Sequence, residues 1–174
     1  MGKKSIKENK NVYQLAREEL NLTRAQASEI LEFITESRIE KIESEKSLIQ
    51  PEEVMAMAKA YKKPLLCNTY CSHDCPIGQT YVPEITINEL PQIVLKMLAS
   101  LNNLNESKNK LIEISSDGQI SDNELLDFVR IQKGLEEISL AADALNLWIN
   151  NTIASGAIDE DKLRRIKESL ENND

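Results

Sequence analysis

Residues 22–46 read LTRAQASEILEFITESRIEKIESEK, and this stretch decides the fold. Thr23-Arg24-Ala25-Gln26 has the form of a capping box, in which the threonine hydroxyl accepts from the third backbone N–H of a helix and the glutamine reaches back to the N–H of the cap. Ala27, Ile30 and Leu31 then recur at helical spacing and form the predicted buried stripe of that helix. Glu32-Phe33-Ile34 follows as a turn. Thr35 is placed to cap a further helix, whose inward positions are Ile39 and Ile42.

Outward from this pair, Asn11 to Leu20 predicts a first helix with Val12, Leu15, Ala16 and Leu20 at helical spacing, and a short link ends at Leu22. On the other side, Pro51 sits where the first turn of a helix tolerates proline. Val54, Met57, Ala58 and Tyr61 close the bundle. Leu15-Ala16-Arg17, Leu22-Thr23, Gln26-Ala27, Ile42-Glu43 with Lys46, and Pro51 through Tyr61 together resemble the XRE family of helix-turn-helix regulators, the lambda-repressor-like group. The resemblance covers residues from about 10 to 66, roughly a third of the 174-residue chain. It implies a five-helix DNA-binding domain. Two features depart from the family pattern: the turn between the second and third helices holds Glu32-Phe33-Ile34 in place of a glycine turn and is one residue longer, and Glu45 stands where a glycine follows the Ile-Glu pair.

In this family the start of the third helix enters the major groove and the start of the second meets the backbone. The resemblance therefore implies phosphate contacts for Arg24 and Gln26, and a base-facing set of Thr35, Glu36, Ser37, Arg38 and Lys41. Arg38 is the foremost expected reader, because a guanidinium matches the two major-groove acceptors of guanine. Glu36 or Glu40 would accept from a cytosine amino group. The alternative for the third helix is a solvated face laced by Arg38, Glu40, Lys41, Glu43, Glu45 and Lys46.

A net charge of −8 argues against nucleic acid until its distribution is considered. Residues 1–66 carry 12 Lys/Arg against 11 Asp/Glu, and the remainder carries 9 against 18. The acidity belongs to the second part. Lys3, Lys4, Lys7 and Lys10 open the first as a basic arm suited to phosphates or to plain solvation. With 4% aromatics, 5 Gly and 5 Pro, the composition favours an all-α fold. No apolar run approaches the ~18 residues of a membrane span, and Met1-Gly2-Lys3-Lys4-Ser5 lacks the apolar stretch of a secretory signal, so a cytoplasmic protein is expected.

Cys67, Cys71, His73 and Cys75 are the only cysteines and the only histidine in the chain. Crowded soft ligands suggest a Cys3His site for Zn2+, although the C-x3-C-x-H-x-C spacing is tighter than the usual knuckles. An iron–sulfur cluster, a reversibly oxidised thiol pair and buried small hydrophobes are the other readings. The segment 67–87, with a proline-bearing connector from Thr80 to Ile87, is read as a linker.

Residues 88–174 read as helices for oligomerisation or sensing. Leu90, Val94, Met97, Leu101, Leu104, Lys108 and Leu111 step by four and three as a heptad seam. Asp117-Gly118 breaks the helix and Ser121-Asp122-Asn123-Glu124 is a second capping box. Phe128, Ile131, Leu135, Ile138, Ala142, Leu145 and Ile149 continue the pattern to about residue 154. Gly156 ends that helix, and Asp159 caps a last one with Leu163, Ile166 and Leu170 on one face. The two seams are expected to pack on each other as an antiparallel hairpin, with Ile93, Leu98, Leu140, Leu147 and Trp148 left for a third helix or a second subunit; a homodimer is expected because a lone helix-turn-helix domain makes too few contacts for specific binding. No Gly-rich phosphate loop, Ser/His/Asp set or paired metal-binding carboxylates occur, so no enzyme is expected. The whole describes a dimeric, sequence-specific repressor that binds a double-stranded DNA operator, with metal or redox responsiveness at the cysteines. The alternative is a protein-interaction module that keeps the helix-turn-helix fold without binding DNA.

Overall fold

The computed structural model of the chain describes residues 9–86, 89–115 and 120–171. The basic arm as far as Lys7, the end of the connector at Ile87, the Asp117-Gly118 break and the final residues of the tail lie outside them. Among the described residues the chain is helical, with α1 (Val12–Glu19), α2 (Arg24–Leu31), α3 (Glu36–Glu43), α4 (Pro51–Ala60), α5 (Leu65–His73), α6 (Gly78–Tyr81), α7 (Leu90–Ser115), α8 (Leu125–Ala154) and α9 (Glu160–Glu171). They divide into two compact units: residues up to Glu84 with those from Asn150 onward, and Ile85–Ile149.

In the first unit, Asn11 caps α1 by accepting from the Gln14 N–H at 3.0 Å, and its own amide donates to the Ile42 carbonyl at 2.8 Å. One side chain thus starts α1 and ties it to the end of α3. The buried face of α1 is Tyr13, Gln14, Ala16 and Arg17. This corrects the predicted stripe, of which only Ala16 is buried while Leu15 is 46% exposed. Periodicity counts apolar residues; here two polar ones turn inward because they find partners there.

Thr23 and Gln26 form the predicted capping box of α2, with Gln26 N–H to Thr23 Oγ1 at 3.2 Å and Thr23 N–H to Gln26 Oε1 at 2.9 Å. Ala27 and Leu31 are buried, whereas Ile30 is half exposed. Thr35 caps α3 as predicted, its hydroxyl accepting from the Arg38 N–H at 3.3 Å. Pro51 opens α4, where the Glu53 carboxylate accepts from the Gln50 N–H at 2.8 Å. Ile34, Ile39, Ile42, Val54, Met57 and Tyr61 make the centre of the core.

The two places without the expected glycine both adopt positive φ. Glu32 closes α2 at φ 57° and ψ −58°, and the Phe33 N–H donates to the Leu31 carbonyl at 2.6 Å. That is a γ-turn of the rare positive-φ form, which accommodates the extra residue at a cost in strain. Glu45 has φ 59°, and beyond it the Lys46 N–H returns to the Lys41 carbonyl at 2.9 Å, the long-range bond of a Schellman cap.

The fifth helix of the bundle, α5, begins after Pro64 and runs through the segment read as a linker. Leu66 is buried, and Cys67 and Tyr70 pack against the core. On α6, a Cβ at Gly78 would lie 2.0 Å from the Cys71 carbonyl oxygen, so only glycine allows this approach. Gly156, at φ 79°, follows the end of α8, and Asp159 caps α9 by accepting from the Lys162 N–H at 3.0 Å.

In the second unit, the inward positions of α7 are Ile93, Met97, Ser100, Leu104, Ser107 and Ile114. On α8, Ile131, Ala141 and Leu147 are buried, and Gly134, Ile138, Leu145 and Trp148 are half-buried. The predicted seams contain Met97, Leu104, Ile131, Ile138 and Leu145, but Leu101 and Leu135 are 41% and 48% exposed, with Ser100 and Gly134 turned inward instead. Leucines on both sides of each seam made the neighbouring register equally apolar. A groove of about 280 Å³ lies between the two helices around Leu104, Ser107, Ile131 and Gly134.

Glu45→Gly should raise stability by about 0.5–1 kcal/mol in chemical denaturation, because it removes a Cβ from a left-handed residue whose side chain makes no hydrogen bond or ion pair among the described residues. An unchanged or lower midpoint would show that the cap carries no strain.

Candidate nucleic-acid interface

The relative placement of α1, α2 and α3 is fixed by one buried carboxylate. Glu43 is 1% exposed and accepts from Arg17 Nε at 2.5 Å, from Arg17 Nη2 at 2.8 Å and from Arg24 Nε at 2.8 Å. Arg17 also donates through Nη1 to the Leu22 carbonyl at 2.5 Å, which holds the link between α1 and α2. Burial works against the Arg17 charge, but the hydrogen bonds and charge of Glu43 outweigh it and hold its pKa above the ordinary value. Glu43 is therefore not part of a solvated charge pattern on α3. A sequence signal for the pair did exist: both residues adjoin core positions, Ala16 and Ile42, on the inner faces of their helices.

Arg38, the foremost expected base reader, is committed within the domain. Its Nε and Nη2 donate to the two carboxylate oxygens of Glu53, each at 2.6 Å, and it also bonds Ser47 Oγ and, at 2.7 Å, the Leu48 carbonyl. This fork–fork pair pins the loop after α3 to the start of α4. The Arg38 guanidinium holds the Glu53 carboxyl below the usual glutamate range, and Glu53 raises the Arg38 pKa in turn. Sequence spacing did not show the clamp, because its partner lies 15 residues away on another helix.

The exposed face of α3 is formed instead by Glu36, Ser37, Glu40 and Lys41, with Thr35 exposed at its head. Arg24 stands beside it with its side chain 34% exposed, one nitrogen on Glu43. Gln26 is exposed, its oxygen used by the α2 cap. Thus Thr35, Glu36, Ser37 and Lys41 lie together on one surface, Arg24 and Gln26 occupy the start of α2, and Arg38 is drawn aside toward α4. Two apolar residues that the sequence reading did not single out frame this surface: Phe33, 64% exposed on the strained turn, and Leu48, 83% exposed in the loop that Arg38 holds.

Residues 14–66, from α1 into α5, match the family model described as helix-turn-helix. This part of the chain is a helix-turn-helix domain of the XRE family. No curated protein and no solved structure matches the chain. The family is one of DNA-binding regulators, and the matched residues span α2, the turn and α3. No helix among the described residues is long and apolar enough to cross a membrane.

The cysteines sit on and just after the fifth helix of the domain. Cys67 and Cys71 are one turn apart on α5, so they share a face. His73 falls roughly 200° around the helix from Cys71, with Nδ1 near Ser72 Oγ and the Thr69 carbonyl and Nε2 3.7 Å from Glu84. Cys75 follows the helix end, and its sulfur accepts from the Gly78 N–H at 3.5 Å. The four expected ligands are not gathered at one point, and no group of three metal-binding side chains is placed to hold an ion among the described residues. Beside this segment, the Tyr13 hydroxyl is buried with no hydrogen-bond partner among the described residues, and burial holds it protonated far into the alkaline range. Burial, reinforced by Cys71, also pushes the Cys67 thiol up.

Two outcomes follow. Arg38→Ala should lower stability by about 2 kcal/mol at neutral pH. Because the Glu53 pKa is depressed, its contribution is present above the ordinary glutamate range and is lost as pH falls through the lower folded value; the gap between the two proteins should therefore close in acid, below about pH 4. A gap independent of pH would exclude the clamp. Cys67 should react with a maleimide more slowly than an unfolded thiol at neutral pH, and faster as pH rises, since the thiolate is the nucleophile; mass spectrometry of partly labelled protein reads this site by site.

Proposed function

We propose that the chain is a sequence-specific transcription regulator that binds double-stranded DNA as a dimer and represses by occupying its site. The observation that carries this reading is the exposed face of α3, bordered by the start of α2 and held rigid from behind by Glu43. The DNA-binding domain would include α5 as its fifth helix, and α7 and α8 would be the pairing helices. Lys41 is the basic reader of that face and suits the acceptors of guanine; Glu36 accepts from a cytosine amino group, and Ser37 serves either. Arg24 and Gln26 meet phosphates, and Arg38 positions the loop that borders the site.

One observation favours a second reading. Glu36 and Glu40 outnumber Lys41 on the face, and exposed Phe33 and Leu48 adjoin it, a combination suited to a basic, apolar protein partner.

Recovery and sequencing of genomic fragments retained by the full chain at low and moderate salt separates the two. A recurrent two-fold motif is the expected result. On that motif Lys41→Ala should weaken binding about 10- to 100-fold and relax preference at one position, whereas Arg24→Ala should weaken all sequences alike and reduce the salt slope by about one. Retention of no DNA, or of sequence-blind DNA alone, would sink the regulator and leave the protein-binding reading.

A further inference from the structure

Helix α5 divides its polar residues between opposite sides. Thr69 and Ser72 turn their hydroxyls back to carbonyls four residues earlier, donating to Leu65 at 3.1 Å and to Asn68 at 2.9 Å. Cys67, Tyr70, Cys71 and Asp74 fall within about 100° of arc on the other side, next to buried Leu66. Tyr13 of α1 lies against that side. Tyr13 is 6% exposed, and its hydroxyl has no hydrogen-bond partner among the described residues. Burial, then the charges of Asp74, Tyr70, Cys67 and Cys71, raise its pKa, so the orphaned donor faces this stretch of α5. A buried hydroxyl is rarely left without an acceptor.

The spacing of the two thiols decides what can join them. Residues four apart on a helix have Cβ atoms about 5–6 Å apart, whereas a disulfide needs about 3.5–4.5 Å. Cys67 and Cys71 therefore cannot bond directly without unwinding α5. An ion between them requires no such change, because two metal–sulfur bonds of about 2.3 Å each bridge the gap between converging side chains. Zn2+ calls for four ligands, and no three metal-binding side chains meet among the described residues. His73 is turned away from the pair, and the Cys75 sulfur accepts from the Gly78 N–H. Two thiolates without further ligands suit a soft ion of low coordination number, and thiolate selects Cu(I).

We infer that Cys67 and Cys71 hold one Cu(I) ion between their sulfurs, with the Tyr13 hydroxyl donating to a metal-bound thiolate. Binding exchanges two thiol protons for one Cu+ and leaves a bis-thiolate with one net negative charge; no electron is transferred. Burial and the charge of Cys71 oppose ionisation of Cys67 on its own. The cation offsets one of the two thiolate charges, and the phenol donor steadies the other, as a partner outside the ligands does in metal sites. Asp74, on the same side of the helix, attracts the cation. Ligation ties together one turn of the fifth helix where Leu66 and Tyr70 hold it to the core. The inference stands apart from the DNA reading, and its test uses no DNA.

The reduced full chain is titrated without oxygen against Cu(I) held by bicinchoninate. The chain should withdraw one equivalent, and X-ray absorption at the copper edge should show two sulfur neighbours and no third. Cys67→Ser and Cys71→Ser should each weaken binding by more than the roughly 100-fold that a partner outside the ligands can contribute, while Cys75→Ser and His73→Ala leave it unchanged. Cys67 packs against the core, so Cys71→Ser with helix content retained by circular dichroism decides the point if Cys67→Ser unfolds. Tyr13→Phe removes only the orphaned hydroxyl; it should keep the stability of the fold and weaken Cu(I) binding about 10-fold. No copper withdrawn, more than one equivalent per chain, a third sulfur neighbour lost with Cys75→Ser, or binding that survives both Cys67→Ser and Cys71→Ser overturns the site. Undiminished affinity in Tyr13→Phe overturns the part given to the hydroxyl.

Discussion

The Glu43 carboxylate, enclosed by two arginines, is the constraint on which the N-terminal domain depends. A charge so deeply buried is tolerated only when its hydrogen-bonding capacity is filled, and Arg17 and Arg24 fill it from two different helices. Removing either the acid or Arg17 would leave an uncompensated buried ion, a loss of about 3–5 kcal/mol. The pair also carries geometric information that apolar packing lacks. Ile39 and Ile42 tolerate some sliding of α3 against the core, whereas a bidentate contact from α1, with Asn11 reaching the Ile42 carbonyl, fixes both rotation and height. Tyr61 extends this environment: its buried hydroxyl has a pKa pushed up to about 12 by burial and then by Glu43.

Arginines in this domain are used for architecture before recognition. Arg17 is wholly internal, Arg24 is shared, and Arg38 is spent on Glu53, Ser47 and Leu48. The outer surface of α3 is left rich in hydrogen-bond acceptors and poor in cationic donors. Its contribution to phosphate attraction on a bound DNA would be small.

Much of the fold could be read from local chemistry. Thr23 with Gln26, Thr35, Pro51, Gly156 and Asp159 act within a few residues of themselves, so their caps and stops follow from short spacing. What escaped was long-range. Nothing local to Arg38 reveals that Glu53 will face it, and nothing local to Gln14 or Arg17 says that α1 turns its polar residues inward. The seams of α7 and α8 were displaced for a different reason: a helix bearing leucine at successive positions, such as Val94-Leu95 and Leu125-Leu126, has two apolar faces, and periodicity alone does not say which faces its neighbour. The cysteines were legible as a cluster in sequence but not in space, because a helix sends His73 away from Cys67 and Cys71.

The chain holds a single tryptophan, Trp148, half-buried on α8, while its four tyrosines, Tyr13, Tyr61, Tyr70 and Tyr81, all precede residue 85. Each compact unit therefore carries its own natural chromophore. Tryptophan emission follows the second unit, and tyrosine ultraviolet absorbance follows the first, so the order in which the two units melt can be watched in the unlabelled protein as two superimposed or separate transitions.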